Sequence, residues 1–189
     1  MHAKRIMDIF KKTNAFLTGH FKLSSGLHSD KYLQCALVLQ HPKLAALLCA
    51  DLARKFKKKK PTVVAGPALG GIVVSYEVAR ALGCRSIFAE REDGKLTFRR
   101  GFSVDKGDRV LVVEDVVTTG LSSKELITLI RQAGAKIVGV GAIIDRSKTK
   151  PDFGVPFKNL LKIKVATYTE NDCPLCKEGI MVIKPGSRR

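Results

Sequence analysis

Apolar residues follow two patterns along the chain, and the two patterns alternate. Short and nearly continuous apolar runs predict strands of a parallel sheet that is covered on both faces. These runs lie at about 62–66, 85–90, 109–114, 136–144 and 160–167. Helix-length segments precede or separate them at about 2–18, 42–58, 71–82 and 122–133. The alternation predicts an α/β fold with a central, mainly parallel sheet, flanked by helices and joined by right-handed crossovers.

Three segments add detail to this pattern. A β-rich, polar segment at about 20–40 precedes the alternation, and a returning strand near 96–102 follows a polar loop. The first predicted helix has apolar residues at i, i+3, i+4 and i+7, which favours a helix packed on its own domain over one lying on a membrane surface. Those apolar residues are Ala3, Ile6, Met7 and Phe10.

Length and cysteine content limit the class of protein. The 189 residues suffice for one domain with a substantial core, and the chain shows no linker or internal repeat. No apolar run approaches the roughly 18 residues that span a membrane, and no secretory signal is recognisable. Five cysteines, an odd number with mostly wide spacing, argue against a disulfide framework and predict a reducing cytoplasm.

Two of the cysteines, Cys173 and Cys176, form the motif Cys-Pro-Leu-Cys. One such motif supplies only two of the four ligands that a structural zinc ion usually needs, so no protein-held metal is predicted, and a redox role or a shared metal is the less favoured alternative. The other three lie among apolar neighbours and are interpreted as core thiols. They are Cys35, Cys49 and Cys84.

The formal net charge of +17 indicates a polyanionic ligand or a nucleic acid. The densest basic run, Lys57 to Lys60, is equally typical of a solvated helix end, and Pro61 then stops that helix. Aromatic residues make up only 6% of the chain, which is few for stacking on bases. The charge therefore favours a phosphate-rich small molecule, with a nucleic-acid-binding regulator as the alternative from another class.

The segment from Val110 to Ser122 carries the most specific chemistry. Two carboxylates, Glu114 and Asp115, follow an apolar run, and a turn rich in hydroxyls and glycine leads into a predicted helix. Ligands of open α/β sheets bind beyond the carboxyl ends of strands, and free N–H groups at a helix start hold phosphate. Acids that accept from ribose hydroxyls, next to a phosphate cradle, predict a sugar phosphate as ligand.

A second glycine-rich loop, Gly66 to Gly71, also joins a strand to a helix, and its successive N–H groups suit an anion. Neither loop ends in the Gly-Lys-Ser/Thr of a P-loop. Gly139-Val140-Gly141 lacks the third glycine of a dinucleotide fingerprint. Both nucleotide-binding alternatives are therefore disfavoured.

Two further segments complete the candidate site. The polar and basic segment from Glu90 to Phe102 suits a mobile loop that closes over a substrate and neutralises a departing anion, although an exposed hairpin is the alternative. Asp145-Arg146 follows another apolar run, where an arginine can bind a carboxylate through two hydrogen bonds.

Together these segments resemble the orotate phosphoribosyltransferases, which belong to the type I phosphoribosyltransferase family. Val110 to Ser122 is similar to the phosphoribosyl-pyrophosphate (PRPP) signature, Gly66 to Gly71 to the pyrophosphate loop, and Glu90 to Phe102 to the flexible catalytic loop. The segment from Phe21 to Tyr32 resembles the hood hairpin over the base. The Cys-Pro-Leu-Cys tail resembles a shorter-loop branch of the same family.

The resemblance implies a single type I phosphoribosyltransferase domain over 1–189. It would have a small N-terminal hood hairpin region at about 14–40, a flexible catalytic loop at about 90–102 and a tail at about 168–189. It also implies Mg²⁺-dependent transfer of ribose 5-phosphate from PRPP to orotate, giving orotidine 5′-monophosphate and pyrophosphate in pyrimidine (UMP) biosynthesis. Mg²⁺ is expected mainly on PRPP oxygens and water. The partners implied are these small molecules and a second copy of the chain, in a homodimer with shared active sites. Neither nucleic acid nor a membrane is an expected partner. A purine phosphoribosyltransferase is the alternative function within enzymes.

The site residues implied by the resemblance fall into three groups. The catalytic residues are Lys95, Arg91 and Asp115. The PRPP-binding residues are Glu114, Asp115, Val116, Val117, Thr118, Thr119, Gly120, Leu121, Ser122, Gly66, Pro67, Ala68, Gly70, Gly71 and Arg91. The orotate-binding residues are Arg146, Thr118, Ser24, Ser25, Gly26 and Lys22.

The chain departs from the family pattern at three places. Many members have a lysine where this chain has Ser24, and many have Tyr-Lys where it has Leu69-Gly70. The catalytic loop is shorter and lacks the usual lysine and histidine pattern. Lys95 is predicted to replace the missing cation of the loop.

Overall fold

The computed structural model describes residues 1–23 and 25–185, and a six-stranded sheet forms its centre. The helices are α1 (Ala3–Lys12), α2 (Cys35–Leu39), α3 (Pro42–Arg54), α4 (Gly70–Leu82), α5 (Leu121–Gln132) and α6 (Pro174–Lys177), with a short 3-10 helix at Lys57–Lys59. The strands are β1 (Phe16–Lys22), β2 (His28–Leu33), β3 (Val63–Pro67), β4 (Arg85–Glu92), β5 (Lys95–Phe98), β6 (Arg109–Val117), β7 (Lys136–Asp145) and β8 (Phe157–Lys162).

The central sheet has the strand order β5-β4-β3-β6-β7-β8, and only β5 runs antiparallel to its neighbour. The chain leaves β3 through α4 toward β4 on one side, and leaves β6 through α5 toward β7 on the other. The strand order therefore reverses between β3 and β6, and ligands of open α/β sheets bind at such a switch point. The prediction of an α/β fold with a mainly parallel central sheet is confirmed.

Alternating side chains of the sheet enter two hydrophobic cores. On β6, Leu111 and Val113 pack into the core formed with α1, α2, α3 and α4, whereas Val110 and Val112 pack into the core formed with α5. All four side chains are fully buried, as expected for a strand with helices on both faces. The sheet and its two helical layers thus hold the carboxyl ends of β3 and β6 in fixed positions.

The N-terminal segment shows one wrong boundary. The predicted helix 2–18 ends at Lys12, because Asn14 adopts a left-handed φ of 54° and the chain continues as β1. β1 and β2 form a separate antiparallel two-stranded sheet, in the part of the chain where a hairpin was predicted. The amphipathic helix packs inward as expected, with Ile6 and Phe10 fully buried.

The tail strand needed correction, whereas the glycines of the disfavoured dinucleotide motif lie inside a strand. The tail strand was predicted at 160–167 but lies at Phe157–Lys162, where it pairs with β7 directly after Pro156. Gly139 and Gly141 lie inside β7, where a Cβ atom would come within 2.6 Å and 3.1 Å of the Phe56 ring, so they serve packing. Across the described residues, no helix has the length and hydrophobicity needed to cross a bilayer.

Candidate active site

The two strands at the switch point separate toward their carboxyl ends. The β3–β6 pairing ends at Ala65 and Val112, whereas β6 stays paired with β7 as far as Val117 and Asp145. The strand prediction 109–114 was therefore too short, and Glu114 and Asp115 lie within β6. Because β3 no longer covers this part of β6, space opens there for the loop from Gly66 to Gly71.

Asp115 faces that glycine-rich loop. A Cβ atom added to Gly70 would lie 2.5 Å from the Asp115 Oδ1 atom, so only glycine allows this approach. The same carboxylate accepts a 2.8 Å hydrogen bond from the backbone N–H of Val116. Desolvation raises the pKa of Asp115, while that backbone hydrogen bond acts in the opposite direction. The structure thus brings together the second acid of the predicted PRPP motif and the predicted pyrophosphate loop.

Glu114 points to the opposite face of β6, because successive side chains of a strand alternate. Its carboxylate accepts a short hydrogen bond from the Ser123 hydroxyl at the start of α5. Desolvation, reinforced by the negative charge of Asp115 and partly offset by Ser123, raises the pKa of Glu114 to about 7. The pKa of Glu114 is therefore close to neutral pH.

The loop from Thr118 to Gly120 enters α5 in the manner that the sequence predicted. Gly120 caps the helix with a left-handed φ of 76°, and a Cβ atom at this residue would lie 2.8 Å from the Phe153 ring. Thr118 and Thr119 are exposed, and glycine offers no side chain to cap the helix. The first N–H groups of α5 and the two hydroxyls thus form a surface suited to a phosphate.

The glycine-rich loop begins inside β3 and ends inside α4. Gly66 and Gly71 touch each other so closely that a Cβ atom at Gly66 would lie 2.4 Å from the Gly71 carbonyl oxygen. Pro67 is buried as the last residue of β3, and the Ala68–Leu69 peptide bond is cis. This arrangement places the N-terminus of α4 beside Asp115, so two helix starts border the switch point.

Arg146 stands at the end of β7, where its backbone N–H donates a 2.8 Å hydrogen bond to the Val117 carbonyl. Desolvation lowers the pKa of its guanidinium, partly offset by Tyr32 on β2 and by Cys35 at the start of α2. Its Nε atom is buried and has no hydrogen-bond partner among the described residues. Buried donors without partners are rare in folded proteins, so this guanidinium is a candidate anion site.

The hairpin between β1 and β2 holds the other residues predicted to bind the base. Ser25 and Gly26 are exposed at its tip, and Ser24 lies outside the described residues. Lys22 ends β1, and its backbone N–H donates a 2.9 Å hydrogen bond to the Ile183 carbonyl in the tail. Tyr32, near the end of β2, connects the hairpin to the surroundings of Arg146.

The predicted catalytic loop forms an antiparallel hairpin of β4 and β5, with a turn at Asp93-Gly94. Arg91 pairs with Glu125 of α5 at 2.5 Å and donates to the Gly94 carbonyl at 2.6 Å. Lys95 is exposed and borders a cleft with Thr128 of α5. Arg91 and Lys95 thus lie beside α5, whereas Asp115 points to the other face of the sheet, toward the start of α4.

Two residues near the site, and two histidines away from it, have contacts that the sequence analysis did not predict. Ser123 was read only as the start of a helix, yet it binds Glu114. Cys35 was interpreted as a core thiol, and it is buried, but its Sγ atom also lies 3.9 Å from the Asp115 carbonyl oxygen. Away from the site, His20 was not singled out and His28 was considered only as part of the segment from Phe21 to Tyr32, yet both are buried, with exposed fractions of 2% and 1%. No local pattern marks these contacts, because each joins segments distant in sequence.

Comparison with known proteins identifies the family. A family model for the phosphoribosyl transferase domain matches residues 37–172, so the chain belongs to the phosphoribosyltransferases. It is 54% identical over 189 residues to an orotate phosphoribosyltransferase of Caldanaerobacter subterraneus subsp. tengcongensis, and 100% of both chains is covered. An orotate phosphoribosyltransferase of Caldicellulosiruptor bescii gives the same identity and coverage. Within the family, the chain therefore belongs to the orotate phosphoribosyltransferases, and the predicted resemblance is confirmed.

A solved structure agrees with this fold. The crystal structure of the orotate phosphoribosyltransferase from Aeropyrum pernix aligns with a TM-score of 0.67 at 24% identity, covering 84% of this chain and 93% of that chain. At this identity the likeness concerns the fold alone. The full-length relatives carry the assignment to an enzyme family.

Proposed function

We propose that the chain transfers ribose 5-phosphate from PRPP to N1 of orotate and releases pyrophosphate. The bond from ribose C1 to the pyrophosphate oxygen breaks, the bond from C1 to N1 forms, and the N1 proton is lost. The observation that carries the assignment of the base is Arg146, whose buried Nε has no partner in the described part of the chain. A carboxylate on the base supplies the partner that this guanidinium lacks.

The 5′-phosphate of PRPP is assigned to the start of α5. The N–H groups of Leu121 and Ser122 and the hydroxyls of Thr118 and Thr119 surround the helix start, where the Leu121 N–H donates a long, 3.3 Å hydrogen bond to Thr119 that a phosphate would replace. Val116 and Val117 form the strand end that carries this loop. A doubly charged phosphate gains there from both the hydrogen bonds and the helix dipole.

Pyrophosphate is assigned to the loop of Gly66, Pro67, Ala68, Gly70 and Gly71 at the start of α4. The close contact of Gly70 with Asp115 supports this assignment, because a leaving group held by the loop would lie beside the acid proposed to bind the ribose. Mg²⁺ prefers oxygen ligands and would be held mainly by the phosphate oxygens of PRPP; when bound, it would supply positive charge that offsets the charge of the pyrophosphate. Two acids on opposite faces of β6 are too few for an all-protein cage, so the ion is assigned to PRPP oxygens and water.

Glu114 and Asp115 are assigned to the ribose 2′ and 3′ hydroxyls. The ionised carboxylates would accept hydrogen bonds and favour the positive charge that develops on the ribose as C1 separates from pyrophosphate. The pKa of Glu114, raised to about 7, means that part of this charge is absent at neutral pH until a ligand arrives. Binding of PRPP with its cation therefore favours proton release from Glu114.

The base is assigned to the space between Arg146 and the hood hairpin. Arg146 and backbone N–H groups near Ser25 and Gly26 bind the orotate carboxylate, with Thr118 and Lys22 at the border. Ser24 is predicted to bind orotate together with these hairpin residues. Tyr32 supports the assignment, because it brings β2 close to the guanidinium.

Arg91 and Lys95 are assigned to the active site of a neighbouring subunit in a homodimer. Within one chain, Arg91 is paired with Glu125 rather than aimed at Asp115. An apolar surface supports association of two copies, since Leu69, Val73 and Tyr76 are 83%, 40% and 64% exposed beside the glycine-rich loop. All five cysteines are free thiols, which agrees with a reducing cytoplasm as the place of action.

The first experiment measures PRPP- and Mg²⁺-dependent loss of orotate, with adenine, guanine, xanthine and uracil as parallel acceptors. We expect turnover with orotate alone. Asp115→Asn should abolish it, whereas Asp8→Asn, a matched change on the exposed face of α1, should leave it intact. Turnover with a purine instead of orotate would remove the proposed roles of Arg146 and the hairpin, and silence with every base would contradict the proposed reaction.

A second experiment tests the shared site. Asp115→Asn and Lys95→Ala variants are assayed separately and then after subunit exchange. If Lys95 acts on the partner's PRPP, a mixed dimer regains one intact site, and about a quarter of the wild-type rate returns on statistical grounds. No recovery, with exchange verified by mass spectrometry, would show that Lys95 acts within its own chain or has no part in the reaction.

A further inference from the structure

Four potential metal ligands meet where the hood hairpin touches the tail. His20 lies on β1, His28 begins β2, and Cys173 and Cys176 flank the start of α6. One ligand atom from each of the four lies within 4.8 Å of all the others. His20, His28 and Cys173 are buried, with exposed fractions of 2%, 1% and 0%. The cluster is separate from the proposed active site.

The distances in the cluster match those around one small ion. The Sγ atoms of Cys173 and Cys176 lie 3.5 Å and 3.6 Å from the His20 Nε2 atom, and Cys176 Sγ lies 3.2 Å from the His28 Nδ1 atom. A tetrahedral zinc ion with ordinary bond lengths separates sulfur and nitrogen ligands by about 3.6 Å. The two ring nitrogens are 2.9 Å apart, slightly closer than the roughly 3.3 Å of two imidazoles on zinc.

The imidazole of His20 is oriented for binding a metal. Its Nδ1 atom lies 2.7 Å from the Ile180 carbonyl oxygen, which can only accept, so Nδ1 carries the proton and donates it. The Nε2 lone pair is consequently free and points into the cluster. A second hydrogen bond of this kind, from the ring to a carbonyl, is the usual support for a histidine ligand, because it fixes both tautomer and ring orientation.

The chemistry of the four ligands selects the metal. Two thiolates and two neutral imidazoles together balance the charge of a divalent cation, so no net charge is buried. The spacing Cys-x-x-Cys and the set of two sulfur and two nitrogen ligands are typical of structural zinc sites. With four protein ligands, no position remains open for a substrate or a reactive water. We propose that His20, His28, Cys173 and Cys176 bind a structural zinc ion.

The proposed ion ties two distant segments together. The backbone already joins them, since Ile183 and Tyr168 form isolated β-bridges with Phe21 and His28. A two-stranded hairpin is only marginally stable by itself, and a metal site commonly supplies the missing folding energy of such small units. The zinc ion thus holds the hairpin in place. This role does not depend on which base the enzyme accepts.

The decisive measurement is the metal content of the untagged full-length chain, purified with a reductant and without chelators. Plasma mass spectrometry should find one zinc ion per chain. Cys173→Ser and Cys176→Ser should lose it, whereas Cys84→Ser, a thiol outside the cluster, should retain it. Replacement by Co²⁺ should give the strong visible absorption of a tetrahedral site and thiolate charge-transfer bands.

The wild-type measurements decide the matter even if the variants fold poorly. Zinc-free protein that takes up neither Zn²⁺ nor Co²⁺ after refolding would overturn the proposal, as would a Cys173–Cys176 disulfide in the freshly isolated chain. Zinc retained by the double cysteine variant would place the ion elsewhere and also overturn it. Hydrogen exchange supplies an independent readout, because chelation should expose the amides of Lys22, His28, Tyr168 and Ile183 that join hairpin and tail.

Discussion

The raised pKa of Glu114 makes the stability of the protein depend on pH in a direction that is unusual for a carboxylate. Its ordinary pKa of 4.5 rises to about 7 in the folded chain. Between these values the folded state binds a proton that the unfolded state has released. The free energy of unfolding therefore falls as pH rises from about 4.5 to about 7, and the protonated form of Glu114 is the one that stabilises the fold.

The size of this effect follows from the two pKa values. At about 1.4 kcal/mol per pH unit, the full change is about 3 kcal/mol, of which about 2.5 kcal/mol falls between pH 5 and pH 8. Glu114→Gln removes the titration and keeps an oxygen that accepts from the Ser123 hydroxyl. The variant should therefore gain stability relative to the wild type as pH rises.

The assay is urea unfolding of both proteins at a series of pH values from 5 to 8. Titrating groups distant from Glu114 contribute equally to both proteins, so they cancel in the difference between the two curves. Asp115 is coupled to Glu114 and does not cancel fully, so the direction of the pH dependence carries the test. Asp8→Asn, which removes an exposed carboxylate on α1, serves as the control and should follow the wild type. The reasoning would be refuted if the free energy of unfolding of Glu114→Gln, relative to that of the wild type, did not change with pH. It would also be refuted if the variant gained stability relative to the wild type as pH fell.

Three further predictions concern the site and the core. Gly70→Ala should push the Asp115 carboxylate aside and lower kcat/KM for PRPP about 100-fold. The control is Gly107→Ala, which should be neutral because a Cβ atom there meets nothing within 4 Å. Equal losses of kcat/KM in both variants would discredit the steric argument. Arg146→Gln should raise KM for orotate about 10- to 100-fold through the loss of charged hydrogen bonds, while KM for PRPP stays nearly unchanged. Arg5→Gln is the control. A rise in KM for PRPP alone would assign Arg146 to PRPP instead of orotate. Leu111→Ala, at a fully buried position of β6, should lower the free energy of unfolding by about 3 kcal/mol. Urea denaturation measures it against Leu69→Ala, a change at an 83% exposed position. Similar losses of unfolding free energy in the two variants would mean that this core layer does not limit stability.

The parallel sheet could be predicted because its strands are buried on both faces and therefore lack polar positions. β3, β6 and β7 were recognised within a few residues on that basis. The end of β6 was missed because Glu114 and Asp115 are charged, and charge indicates a loop unless the partner strand is known. Pairing with β7 through Val117 keeps both acids inside the strand.

The errors in the N-terminal part of the chain have local causes. Phe16 and Leu17 continue an apolar pattern that suits a helix, but Thr13 and Asn14 end α1, and the apolar residues then serve β1. The short helix α2 was missed because its five residues are too few to show a helical period.

The loops of the candidate site were predicted from residue types that have few other uses in such positions. Gly70 and Gly120 stand where a side chain would collide with Asp115 or Phe153. The partners of the acids and of Arg146 could not be predicted, because Ser123 and Tyr32 are contributed by other elements. The same limit applied to His20 and His28, which complete the motif of Cys173 and Cys176 only after the tail folds back.

The β-bridges between hairpin and tail also determine the order in which the protein matures during synthesis. The ribosome completes β1 and β2 early, yet their partner segment is made late, since His20 and Cys173 are 153 residues apart. Until then the nascent hairpin has free edges that can pair wrongly, as is typical of unpaired strands during folding. The docked hairpin is therefore expected to form last, after the central sheet, and a chain truncated before Tyr168 should carry a formed sheet beside an undocked hairpin.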